Sequence, residues 1–109
     1  MSSIEDRRKT FEAKFKNDED LQFRANSRAV KQLGFWAAEK LGMSGDDADC
    51  YAQSLVDIDF DEPGVANVFR KIKQDVSQQG KEVDDAEMQQ VFNEKLAAAK
   101  ISLMEMTTG

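Results

Sequence analysis

Four runs of apolar residues at three-and-four spacing, separated by glycine or proline, constrain this chain more than any other feature. In the first run Val30, Leu33, Gly34, Ala37 and Leu41 share one face, because residues three and four apart are neighbours on a helix. Phe23 is expected to extend that buried face toward the N-terminus. Phe35 and Trp36 widen it, which makes this helix central. Asn17 or Asp18 can cap it, and Glu19 and Asp20 suit the positive end of its dipole. Gly42 suits the left-handed position just past its end. Gly34 lies in the helix interior, where glycine costs about 1 kcal/mol relative to alanine. Close approach of a neighbouring helix is the expected compensation.

The other three runs repeat this logic. Ser44 with Asp47 reads as a capping box opening a second helix, whose stripe is Ala48, Tyr51, Ala52, Leu55 and Ile58. Glu62-Pro63-Gly64 ends it, since a residue before proline is pushed out of helical conformation. Val65, Val68, Phe69, Ile72 and Val76 give the cleanest stripe, closed by Gly80. Asp84 and Glu87 form the last capping box, followed by Met88, Val91, Phe92, Leu96, Ala99 and Leu103. Met106 to Gly109 are expected to fray. Amphipathic helices joined by short connections pack antiparallel. The fold class is therefore all-α: a four-helix bundle over residues 17–109, preceded by a flexible or marginally helical N-terminal arm over residues 1–16.

The arm differs in charge from the rest. Arg7, Arg8, Lys9, Lys14 and Lys16 oppose Glu5, Asp6 and Glu12, giving +2 in a chain of net charge −6, so the remainder carries −8. Phe11 and Phe15 are four apart, and Ile4 lies seven before Phe11, so the three form one short stripe. A helix this short is marginal alone in water. It can dock as an amphipathic helix in a partner's groove, anchored by Ile4, Phe11 and Phe15, or fold back as part of the first helix. The Asn17-Asp18 interruption favours docking.

Composition narrows the function. One proline and six glycines are few for the hairpins of an all-β chain of 109 residues. An acidic surface repels nucleic acid phosphates and anionic lipid. The lone Cys50 allows no internal disulfide and reads as a small core residue. The chain has no histidine, which removes the usual general base near neutral pH and the commonest metal ligand. No run is apolar and long enough to span a bilayer, and Arg7, Arg8 and Lys9 interrupt any signal-peptide core. These features point to a cytoplasmic binding protein rather than an enzyme, with no catalytic residue, no metal and no cofactor, a monomer when free.

Two motifs invite a sharper reading. Asp57, Asp59 and Asp61 resemble the start of an EF-hand loop, but Glu62 stands where glycine belongs and Val68 where glutamate belongs. A solvated acidic surface is the better account: residues 43–62 hold seven carboxylates and no Lys or Arg. Arg24, Arg28 and Lys31 lie on one side of the first helix. They can meet phosphate, although pairing with surface carboxylates explains them slightly better. No Gly-rich phosphate loop is present.

Taken in order, Asp6-Arg7, Phe11-Glu12-Ala13-Lys14-Phe15, Asp18-Glu19 and Phe23 form a recognisable series. So do Leu33-Gly34-Phe35-Trp36-Ala37-Ala38-Glu39-Lys40-Leu41-Gly42, Tyr51-Ala52, Asp59-Phe60, Pro63-Gly64 and Val68-Phe69-Arg70-Lys71. The set resembles the zeta subunit, the ATPase-inhibitor subunit of the α-proteobacterial F-type ATP synthase, over nearly the whole chain. The resemblance implies a four-helix bundle that inhibits ATP hydrolysis by the catalytic sector of the synthase. It places the inhibitory element in the N-terminal segment, here Ile4, Arg7, Arg8, Phe11, Lys14 and Phe15, wedged as a helix between catalytic and rotor subunits. The implied location is the cytoplasmic side of the inner membrane, reached through the synthase. It also implies ADP or ATP as ligand, for which Arg24, Arg28, Lys31 and Trp36 are the candidates. The alternative is an adenine-nucleotide sensor or adaptor with weak or no inhibition. Two departures, Asn26-Ser27-Arg28-Ala29-Val30 with its single Arg and Thr10 in place of a small apolar residue, bear on inhibitory strength and nucleotide affinity.

Overall fold

The computed structural model describes residues 19–107. Among them are four α-helices and no strand: α1 Glu19–Lys40, α2 Gly45–Asp61, α3 Val65–Gln78 and α4 Asp85–Thr107. The four expected helices are all present. The arm, Asn17 and Asp18 lie outside the described residues.

The stops are built as the glycines predict. At the end of α1, Gly42 sits at φ +76°. Its N–H donates to the Glu39 carbonyl, and the Met43 N–H donates to the Ala38 carbonyl at 2.9 Å. The same pair recurs after α3: Gly80 at φ +75° donates to Ser77, and Lys81 donates to Val76. Both are Schellman motifs, which satisfy carbonyls that the helix itself leaves orphaned.

The starts are less regular. Ser44 is extended at the head of α2, yet its hydroxyl makes no capping hydrogen bond. Gly45 follows at φ +58°, so a left-handed glycine turns the chain into α2 and the Ser44–Asp47 box does not form. At α4 the Asp84 carboxylate accepts from the Ala86 N–H at 3.3 Å, as a cap should. Its expected partner turns away: Glu87 Oε1 meets Lys40 Nζ at 3.5 Å and ties the start of α4 to the end of α1. α4 itself stays helical through Thr107, past the expected point of fraying.

α1 is the central element. It packs extensively against α2 on one side and α4 on the other, while α3 closes on α2 and, more lightly, on α1. The core divides in two. The larger part joins Val30, Leu33 and Ala37 of α1, and Leu41 just past its end, to Leu55, to Val68, Ile72 and Val76, and to Met88 and Phe92, so all four helices contribute. The smaller part is a two-helix extension in which Leu21 and Ala25 meet Ala99 and Leu103. Leu96 borders both. The three-four spacing of these residues is what lets each helix bury a continuous stripe.

Polar contacts fix the helices laterally. The Tyr51 hydroxyl of α2 donates to Asp75 of α3 at 2.8 Å, and Lys71 Nζ meets the other carboxylate oxygen at 2.9 Å. Burial, then the hydrogen bond and charge of Asp75, push the Tyr51 phenol above its ordinary range. Phe69 and Phe92 stack edge to face with centroids 6.4 Å apart, joining α3 to α4. Gln79 and Lys81 donate to the carbonyls of Leu41 and Lys40, which clamps the α3–α4 turn to the end of α1.

Gly34 is where α1 and α2 come closest. A Cβ built there would lie 2.7 Å from the Ala52 Cα. The interior glycine is thus explained by the expected helix approach.

Two expectations about burial fail. Cys50 is exposed: it is two residues from both Ala48 and Ala52, about 200° around the helix from the buried stripe. Phe23 is 51% exposed. It lies eleven residues before Gly34, on the α2 side of α1, and about 16.5 Å along the axis. From the opposed Ala52, α2 runs only nine residues further, about 13.5 Å, and so ends before it can cover the ring.

Candidate functional site

The groove between α1 and α4 widens beside the two-helix extension. Here Arg28, Lys31 and Gln32 of α1 face Lys95, Ala98, Ala99 and Ser102 of α4 across an open cleft of about 450 Å³. The helix register explains the set. Arg28 and Lys31 are three apart on α1, while Lys95, Ala98, Ala99 and Ser102 step along one face of α4 at three-four spacing. Two alanines on the α4 wall leave room that larger side chains would fill.

The cleft is electropositive in an acidic protein. Three of its lining residues are cations and none is a carboxylate. Arg28 donates to the Ser102 hydroxyl at 3.3 Å, which holds the guanidinium across the groove. Lys31 and Lys95 make no ion pair among the described residues. The ion pairs among the described residues engage Lys40, Lys71 and Lys73. An arginine fork and two ammonium groups on one rim suit a multiply charged oxyanion.

Of the residues nominated from sequence for a nucleotide, the structure brings together Arg28 and Lys31 only. Arg24 is exposed one turn away and does not line the cleft. Trp36 packs half-buried against the main core, with the Lys40 ammonium 4.8 Å from its ring centroid. Lys95 and Ser102 were missed because they are 64 and more residues from Lys31 in sequence. The available signal was the Ala97-Ala98-Ala99 run between them, which marks a thin wall on α4.

A second surface lies at the far end of α2. Phe60 is 68% exposed, and its ring meets that of Phe23 edge to face, centroids 6.1 Å apart. Asp57, Asp59 and Asp61 stand on the last turns of the helix rather than in a loop. Asp57 accepts from Gln53, and Asp59 from the Gly64 N–H. No group of three candidate metal ligands converges among the described residues.

A family profile described as ATPase inhibitor subunit zeta matches residues 1–102. The chain belongs to that family. A solution NMR structure is similar at 37% identity, with a TM-score of 0.64, covering 79% of this chain and 98% of that one. No curated protein matches the sequence. Membership of the zeta family makes the chain a regulatory inhibitor subunit rather than an enzyme, and implies interaction with the ATP synthase. Among the described residues no helix is long and apolar enough to cross a membrane. The nominated inhibitory residues Ile4, Arg7, Arg8, Phe11, Lys14 and Phe15 fall outside the described residues, although the family match spans them.

Proposed function

We propose that this zeta-family chain restrains ATP hydrolysis by the catalytic sector of the F-type ATP synthase, with residues 1–16 as the effector and the bundle as its anchor. The observation that carries the reading is the extent of the family match, which begins at residue 1 and so includes the arm as well as the helices. The arm supplies apolar anchors at Ile4, Phe11 and Phe15 and cations at Arg7, Arg8 and Lys14. That is the composition of a segment that becomes helical in a groove. Wedged between catalytic and rotor subunits, it would block rotation in the hydrolysis direction. The protein would then work as a monomer on the cytoplasmic face of the inner membrane. The test is ATP hydrolysis by the cognate catalytic sector with the full chain and with a chain starting at Asn17. Inhibition by both, or by neither, removes the arm from the role of effector.

The α1–α4 cleft supports a second reading, in which ADP or ATP binds the bundle. Arg28, Lys31 and Lys95 would take the phosphates, with Ser102 positioning Arg28. Trp36 is not among the residues lining the cleft, although it lies one turn beyond Gln32, so in this reading the base would lie on the aliphatic stems and Ala98. Calorimetric titration with ADP tests it, and absence of heat at millimolar nucleotide would leave the cleft without this role.

A further inference from the structure

Phe23 and Phe60 form an exposed aromatic pair where α2 ends and α1 continues alone. Around Phe60 stand Asp57, Asp59, Asp61 and Glu62, with no Lys or Arg between residues 43 and 62. None of these four carboxylates is in an ion pair among the described residues, since those pairs use Glu87, Asp75 and Asp85. Two solvent-facing rings, with the exposed Arg24 beside Phe23 and a carboxylate cluster around Phe60, ask for an occupant that is apolar and carries cations toward the Phe60 side.

We propose that the Phe23–Phe60 pair and its carboxylate border hold residues 4–16 of the same chain. Charge complementarity is the first argument. That segment carries five cations against three carboxylates and brings Ile4, Phe11 and Phe15. Aromatic rings favour edge contacts with other rings, and unlike charges bordering a desolvated contact add register. Where the segment joins is the second argument. Phe15 precedes Glu19 by four residues, a reach of at most about 14 Å, and Phe23 lies about 6 Å along α1 from Glu19. Phe11 and Phe15 are therefore within reach of the pair. A tether this short sets an effective concentration on the order of millimolar, which a free competitor rarely attains.

Docking makes the patch a holding site. A segment on Phe23 and Phe60 cannot at the same time be in a partner's groove, so the competent fraction of chains is lowered. This consequence rests on the reading of residues 1–16 as effector; the docking itself does not.

The experiment uses the full chain, isotopically labelled, as wild type, Phe60→Ser and the double variant Asp57→Asn/Asp61→Asn. Expected are nuclear Overhauser effects between the ring of Phe11 or Phe15 and that of Phe60 in the wild type. In Phe60→Ser the amide shifts of residues 4–16 should move toward those of a free peptide of the same sequence. The amides of α3 and α4 should stay in place. The aspartate variant, which keeps both rings, should move the same amides part of the way. Arm amides that are identical in all three proteins would overturn the proposal. So would Overhauser effects that appear only between labelled and unlabelled chains, which would make a second copy the occupant. Against the synthase, Phe60→Ser should inhibit at a lower concentration, by about tenfold if nine chains in ten are docked. An arm released in Phe60→Ser with potency unchanged would uphold the docking and count against the arm as effector.

Discussion

Gly34→Ala sets a favourable local effect against an unfavourable tertiary one, and the distances decide which wins. Alanine in a helix interior is better than glycine by about 1 kcal/mol. The new Cβ, however, would lie 2.7 Å from the Ala52 Cα, 3.0 Å from its Cβ and 3.3 Å from Leu55 Cδ1. Carbon atoms pack best near 3.5–4.0 Å, so the overlap with the α2 backbone is about 1 Å. Backbone cannot rotate away as a long side chain can. Relief requires moving α2 off α1 at the point where Leu33, Ala37 and Leu55 are wholly buried. Overpacking typically costs about 1–3 kcal/mol, and a backbone clash belongs at the upper end. The net loss is then about 1–2 kcal/mol, a fall in Tm of about 4–16 °C for a domain this size. Thermal unfolding followed by circular dichroism at 222 nm reads it directly. Adding Ala52→Gly should not restore stability, because the closest contact is to the Cα. A Tm for Gly34→Ala equal to or above wild type would refute the reasoning and show that α1 and α2 slide apart freely.

Tyr51 is the single tyrosine, so alkaline absorbance titration follows it alone; it should ionise above the ordinary value near pH 10. Because its folded pKa is raised, the stabilisation is complete below about pH 10 and is lost as pH rises toward the folded value. Tyr51→Phe should lower stability by about 1–2 kcal/mol at pH 7 and flatten the alkaline decline in denaturant midpoints. Asp84→Ala leaves the Ala86 N–H uncapped and should cost about 1 kcal/mol, read as a lower Tm; no change would mean that water caps α4 equally well. Lys31→Ala and Lys95→Ala should each weaken ADP binding by about fivefold, the effect of one exposed ionic contact near 1 kcal/mol. Arg24→Ala should leave calorimetric affinity unchanged.

The helices were legible in the sequence because their determinants are local. Glycines at 42 and 80 fix left-handed stops, Pro63 breaks the chain between α2 and α3, and three-four spacing names the buried stripes. Gly34 even announced a close helix contact, since an interior glycine is unfavourable without one. The family resemblance was equally readable, and the profile match bears it out. What the sequence left open depends on where helices end relative to one another. Phe23 sits on a face that looks buried, but α2 stops about two residues too soon to cover it. Ser44 and Asp47 have the residues of a capping box, but Gly45 at φ +58° takes over the turn. Lys95 and Ser102 come opposite Arg28 and Lys31 only because α4 packs on α1, which no local spacing shows. Local propensity and periodicity act over a few residues and are written in order along the chain. Helix overhang and groove lining arise from the packing of residues as far apart in sequence as Phe23 and Phe60 or Arg28 and Ser102, and only the tertiary structure sets them.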